Sequence, residues 1–165
     1  ADDRELIVDP ALENIRPYIA AFVCEGIRVD APALEQLIEA QEKLANNYGR
    51  GRSAVAIGIY DASDIRFPVR YDAVDPDATR FVPLESDVEM DLRRILREHP
   101  IGQTYAHLLE AFQTFPLIRD SQGEVLSIPQ PGQDLLGADC LVVFMQSTFK
   151  RCIFTSIHVP FRIGC

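Results

Sequence analysis

Apolar positions along the chain change period several times, and each change marks an element. Residues 18–27, YIAAFVCEGI, form a nearly continuous apolar run after Pro17 with Phe22 and Val23 at its centre, which predicts a buried strand. A helical period follows, because Leu34, Leu37, Ile38, Gln41, Leu44 and Tyr48 recur at three- and four-residue steps. Asp30 supplies an N-cap, Pro32 lies in the first turn and Gly49 stops the helix. Gln41 therefore falls on the inward stripe, an amide among apolar side chains. In SAVAIGIY, Val55, Ile57 and Ile59 alternate with Ala54, Ala56 and Gly58. This predicts a strand with one bulky face and one bare face, and Gly58 leaves room for a backbone, a helix or a ligand to approach closely.

Residues 61–84 are rich in Asp and Pro and predict irregular β structure, with short strands at 67–71 and 81–84. Met90, Leu92, Ile95 and Leu96 predict a short helix that starts near Asp87 and is ended by Pro100; Tyr105, Leu108, Leu109 and Phe112 predict a second after Gly102. FPLIRDSQGEVLSIP reads as a hairpin of strands 115–119 and 124–128 around an Asp-Ser-Gln-Gly turn. Helices and strands mix without regular βαβ alternation, so the fold class is α+β, with mixed or antiparallel sheets and several helices packed against them. At 165 residues the chain has the size of a single domain, 1–165.

Composition narrows the function classes. A net charge of −9 argues against a module that grips nucleic acid through its own surface, so no DNA partner is expected, and an RNA substrate would have to be held by other domains. Cys24, Cys140, Cys152 and Cys165 form no C-x-x-C pair and have no histidine at zinc-ligand spacing, so no metal site is expected and a reduced, cytoplasmic protein fits best. The start, ADDRELIVDP, lacks the basic and apolar regions of a signal peptide, and no apolar run has the roughly 18 residues of a membrane span, so no membrane partner is expected. Residues 138–165 differ from the rest, with three of the four cysteines and a single acid, Asp139. Their runs LVVF and CIFTSIHVPF are either divergent core strands or not the natural continuation of the domain.

No nucleophile elbow, Walker loop, dinucleotide fingerprint or H-E-x-x-H motif occurs. His99, His107 and His158 are isolated; His99 reads as a helix-end cation and His107 as a helix-surface residue, so neither is taken as catalytic. Gln41 and Arg52 are better candidates, an amide on an apolar stripe and a cation just before a strand, because each needs a partner if buried. Periodicity alone leaves open whether they satisfy a loop and a surface carboxylate or bind a substrate. Glu124 and Ser127, flanking the second hairpin strand, read as structural.

The run QEKLANNYGRGRSAVAIGIYD, residues 41–61, resembles the helix, turn and strand shared by phenylalanyl-tRNA synthetase β subunits of the archaeal and eukaryotic type. Four further segments resemble the same family in the same order: IRPYIAAFVCEGI, FPVRYDAVDPDATRFVPL, ILREHPIGQTYAHLL and FPLIRDSQGEVLSIP. The resemblance covers residues 16–129 and corresponds to the third and fourth domains of the subunit, the α+β editing region that hydrolyses tyrosine mischarged on phenylalanine tRNA. It implies substrate-binding roles for Gln41 and Arg52, with Leu126 and Ser127 on the V-L-S-x-P strand that forms another wall. It implies no general base that the sequence names. It also implies as partners the aminoacylated 3′ end of phenylalanine tRNA, the synthetase α subunit and the remaining β-subunit domains. ATP and Mg²⁺ would be bound elsewhere in the synthetase, and no cofactor is expected in this domain. After Ser127 the family continues S-x-P-P-I-I-N, whereas this chain reads SIPQPGQDLLGADC, without the asparagine, and no role passes to Asp134. A second reading is a non-catalytic binding or scaffolding module derived from that domain.

Overall fold

A computed structural model describes residues 4–27, 29–50, 54–63, 65–83, 86–129 and 139–147. Arg52, Asp134, His158, Cys152 and Cys165 lie outside the described residues.

Strand β1 (Leu6–Val8) leads into a 3-10 turn at Pro10–Asn14, which is capped by the Asp9 carboxylate accepting from Ala11 N at 2.9 Å. The other Asp9 oxygen accepts from Ala73 N at 3.2 Å, which fastens this entry segment to a distant strand. Strand β2 (Tyr18–Ile27) then runs over the ten residues that the apolar run predicts, but it is not buried throughout, since Tyr18 and Phe22 are exposed. Helix α1 (Ala31–Lys43) begins where expected, with Asp30 accepting from Ala33 N at 3.0 Å and Pro32 in the first turn. The predicted helix does not keep one geometry to Gly49, because its last turn, Leu44–Tyr48, is π-helical. Strand β3 (Val55–Asp61) follows, parallel to β2 in the same sheet but not adjacent to it.

Strands β4 (Val69–Val74), β5 (Arg80–Phe81) and β6 (Met90–Asp91) fill the Asp- and Pro-rich region. Helices α2 (Leu92–Glu98) and α3 (Pro100–Leu109) follow, then β7 (Phe115–Arg119), β8 (Val125–Ser127) and β9 (Asp139–Ser147). Two helix boundaries differ from expectation. Asp91, not Asp87, caps α2, with its carboxylate accepting from Arg94 N at 2.7 Å. Pro100 opens α3 instead of merely closing α2, since a proline at the first helical position gives up only an N–H that would be unpaired anyway. His99 is consequently the C-cap of one helix and the N-cap of the next, so the two helix dipoles oppose each other there and the simple helix-end reading of this residue loses its force.

One sheet has the order β1-β4-β7-β8, with β1 parallel to β4 and the other pairs antiparallel; another has the order β2-β9-β3 and is wholly parallel. A short antiparallel ladder joins β5 to β6. The fold is therefore α+β with mixed sheets, as expected. The LVVF run lies in β9, where the backbone of residues 139–147 fills the centre of the parallel sheet. Its partners come from opposite sides of α1, so this placement depends on non-local pairing that no turn signal announces.

Alternation along the strands sorts the core into layers. Ile59 of β3 packs with Val29, Cys24, Leu34 and Leu37, against α1. Its neighbour Tyr60 points the other way and joins Leu12, Ile15, Val69, Tyr71, Ile118 and Leu126 between the two sheets. On the far side of the β4-β7 sheet, Phe115, Leu117 and Val125 meet Leu92, Ile95, Leu96 and Leu109 of α2 and α3. The order is helix, parallel sheet, mixed sheet, helix pair. The bare face predicted around Gly58 is filled from within the strand: a Cβ on Gly58 would meet the Tyr60 ring 2.5–2.8 Å away. Close approach is also why Gly102 lies at the start of α3, where a Cβ would collide with the carbonyl of Ile95 on α2.

Candidate functional site

The inward stripe of α1 carries Leu34 and Leu37 onto the parallel sheet, and Gln41 one turn further along is 2% exposed. A buried amide on an apolar stripe demands hydrogen-bonding company, which makes it an informative position on the helix. The helix tightens its grip on the sheet just beyond. Gly49 N donates to Leu44 O at 2.8 Å and Ala54 N donates to Gly49 O at 2.9 Å, so the π-helical turn is closed directly onto the start of β3. A Cβ on Gly49 would collide with the Val55 and Ala45 carbonyls, so only glycine permits this approach. Arg50 follows with a left-handed φ of 49°, exposed to solvent.

Beneath this turn lies Arg16, fully buried at the entrance to β2. Its Nη2 donates to Ala54 O at 3.3 Å, and its own carbonyl accepts from the Tyr71 hydroxyl at 3.1 Å. Arg16 thereby ties together the start of β2, the start of β3 and the mixed sheet. Through Ala54 it holds the residue that leads into β3. Sequence reasoning missed Arg16 as an individual residue, because its partners are 38 and 55 positions away.

Leu126 is 1% exposed in the layer between the sheets, and Ser127, also buried, pairs with Ile118 of β7. Gln41 belongs to α1, which packs on the Ile59 face of the parallel sheet, and Leu126 belongs to the layer that includes Tyr60. The candidate residues divide into a group at the α1-β3 turn, Gln41 with the neighbouring turn, and a group on β8.

Two buried carboxylates brace the second group. Asp120 Oδ1 accepts from Gln122 N at 2.8 Å and Glu124 N at 3.0 Å, while Oδ2 accepts from Arg66 N at 3.4 Å. One side chain thus shapes the β7-β8 turn and fastens it to the loop before β4, leaving the Glu124 side chain exposed and His107 exposed on α3. Asp72 Oδ2 accepts from Arg119 Nε at 2.8 Å and Nη2 at 2.7 Å and from Arg70 Nε at 3.4 Å. Arg70 and Arg119 face each other in register across β4 and β7, so Asp72 neutralises a like-charge pair that would otherwise weaken the ladder.

Comparison with known proteins identifies this arrangement as an α+β module of an aminoacyl-tRNA synthetase. The chain is similar over 83% of its length, with a TM-score of 0.71 and 38% identity, to 39% of a crystallised N-terminal fragment of the phenylalanyl-tRNA synthetase β subunit from Pyrococcus horikoshii. It is 46% identical over 125 residues to the phenylalanine–tRNA ligase β subunit of Methanothrix thermoacetophila, and 43% identical over 125 residues to that of Borrelia hermsii. The chain belongs to the phenylalanine–tRNA ligase β-subunit family over these residues, which are 76% of its length. It spans 23% and 22% of the length of those two relatives. No family model matches the chain. Among the described residues no helix is long and apolar enough to cross a membrane.

Proposed function

We propose that the chain is the editing module of a phenylalanine–tRNA ligase β subunit, recognising and hydrolysing tyrosine mischarged on phenylalanine tRNA. The observation that carries this reading is the burial of Gln41 near the end of α1, within a stretch related to those β subunits. A synthetic pocket built for phenylalanine cannot strongly reject an analogue that merely adds a hydroxyl, whereas a second site built to hydrogen-bond that hydroxyl discriminates well. Buried polar groups supply that chemistry. In this reading Gln41 binds polar parts of the aminoacyl ester, Arg52 holds the tRNA end, and Leu126 with Ser127 forms a separate wall whose access needs a change in packing. Any activity of this chain alone is ester hydrolysis and not ligation. ATP and Mg²⁺ serve the α subunit, the module needs no cofactor, and the assembled enzyme works in the cytoplasm.

The stretch SIPQPGQDLLGADC, which departs from the S-x-P-P-I-I-N pattern at the pocket wall, favours a second reading, a non-catalytic binding or scaffolding module derived from the same domain. Activity distinguishes them. Tyrosine release from tyrosyl-tRNA specific for phenylalanine is expected to fall about tenfold or more in Gln41→Ala and in Arg52→Ala, the cost of one lost hydrogen bond to a charged or buried group. Release that is unchanged in both variants would remove Gln41 and Arg52 from the site. No release by the unaltered chain would favour the binding module.

A further inference from the structure

The chain carries a net charge of −9, yet one end of the mixed sheet presents arginines to solvent and keeps its carboxylates inside. Along β4, Val69, Tyr71 and Ala73 face the layer between the sheets, so Arg70 and Asp72 face the other way, as Arg119 does on β7 next to Ile118. Helices α2 and α3 cover that outer face around Val74, Phe115 and Leu117, and the arginines continue the face past this cluster. The side chains of Arg70 and Arg119 are 45% and 39% exposed, whereas Asp72 and Asp120 are 5% and 2% exposed. Arg66 extends the group. Its N–H donates to Asp120 and its carbonyl accepts from Ser121 N at 2.9 Å, which sets this exposed residue beside the end of β7.

The fold does not need so much positive charge here. Arg119 alone gives Asp72 two donors, Nε at 2.8 Å and Nη2 at 2.7 Å, while Arg70 adds a longer contact from Nε at 3.4 Å. One arginine would balance the carboxylate. The second leaves a cation in excess, directly opposite its like across the ladder, where like charges are unfavourable. Both Nη groups of Arg70 and Nη1 of Arg119 find no acceptor among the described residues, so the pair keeps donors to spare while Asp72 fixes its position. Asp120 is occupied by three backbone N–H groups. Among the described residues, the exposed Glu5 and Glu124 at the edges form no ion pair with the arginines.

Resting on the RNA substrate of the editing reading, we propose that Arg66, Arg70 and Arg119 form a phosphate-binding patch for the backbone of that RNA. Arg70 and Arg119 hold one phosphate between them, and Arg66 meets a neighbouring one. A planar guanidinium fork matches two phosphate oxygens at once, and arginines already positioned by a buried carboxylate lose little freedom on meeting them. The patch is on the face of the mixed sheet turned away from the parallel sheet, whose Ile59 face carries α1. It therefore meets the body of the RNA and not the reacting end. Its effect falls on how well the substrate is held, not on how fast the ester breaks.

The test uses the full 165-residue chain and phenylalanine tRNA, charged with tyrosine for kinetics, and uncharged with or without its unpaired 3′ nucleotides for binding. Arg66→Gln with Arg70→Gln leaves the Arg119–Asp72 pair intact, so the double variant should melt within about 3 °C of the unaltered chain. Its affinity for uncharged tRNA should fall about tenfold or more, with the salt dependence reduced by about two phosphate contacts, whether or not the 3′ nucleotides are present. In hydrolysis its KM should rise about tenfold with kcat within about twofold. Arg66→Lys with Arg70→Lys should recover part of the affinity. Arg97→Gln, at an exposed position of α2 outside the patch, should change neither binding nor KM. An equal loss in Arg97→Gln would show a general effect of charge and overturn the patch. Unchanged RNA binding in the double variant with weaker capture of the synthetase α subunit would assign the arginines to a protein partner, and also overturns it. Normal binding and KM in the double variant, with the unaltered chain active, overturns the patch and leaves the editing reading standing. Arginine-dependent binding without hydrolysis supports the patch and overturns editing. A chain that neither binds nor hydrolyses overturns both.

Discussion

Phe115→Ala is expected to remove about 4 kcal/mol of stability, the range measured when a fully buried aromatic is cut to a methyl. Phe115 is completely buried at the start of β7, facing the α2-α3 pair, with Val74 opposite in register. Its ring also lies 5.4 Å from the Arg93 guanidinium carbon, and Arg93 in turn donates to Asp77 Oδ2 at 3.2 Å and to Phe112 O at 3.4 Å. Truncation therefore opens a cavity and removes the aromatic face that the cation rests on. Because the helix pair touches the mixed sheet through this layer, the loss should be global. For a domain of this size the melting temperature should drop by roughly 8–16 °C. Phe115→Leu keeps most of the volume and should cost about 1.5 kcal/mol. Thermal and urea unfolding of the two variants measure both; a loss below about 1 kcal/mol in Phe115→Ala would contradict the proposed layering.

Asp120→Ala should cost about 3 kcal/mol, because one removal deprives three backbone N–H groups of a charged acceptor. The donors belong to Arg66, Gln122 and Glu124, so the turn and the loop before β4 should loosen together. Asp120→Asn retains a carbonyl oxygen in the same place and should lose about half as much. Glu124→Ala, one residue before β8 with an exposed side chain, serves as a comparison and should stay within about 0.5 kcal/mol of the unaltered chain. Hydrogen exchange at Gln122 and Glu124 reads the effect locally. Unchanged protection in Asp120→Ala would mean that the turn holds itself without the carboxylate.

These two residues also show what the sequence could reveal. Phe115 is visible as part of an apolar strand, and the hairpin around Asp120 is announced by its turn residues; β2 and α1 are equally legible because Pro17, Asp30 and Pro32 are local signals. The three-residue β1 is not legible, since Leu6–Val8 becomes a strand only by pairing with β4 more than sixty positions later. Pro100 reads as a stop because a proline ends one helix and opens another by the same loss of an N–H. At the candidate site, helical period alone places Gln41 inward. It cannot place Arg16, because the burial of an arginine is decided by distant acceptors and not by its neighbours in the chain. Nor can period show that β9 enters between β2 and β3, because that pairing joins segments far apart in the chain.

The central claim is selectivity for the extra hydroxyl, and the direct measurement is the rate at which the chain releases amino acid from phenylalanine tRNA charged with tyrosine against the same tRNA charged with phenylalanine. Tyrosine is expected to be released about ten-thousandfold faster than phenylalanine, the scale on which a site that pairs with a hydroxyl rejects the analogue lacking it. Equal rates for the two esters, or no release of either, would contradict it.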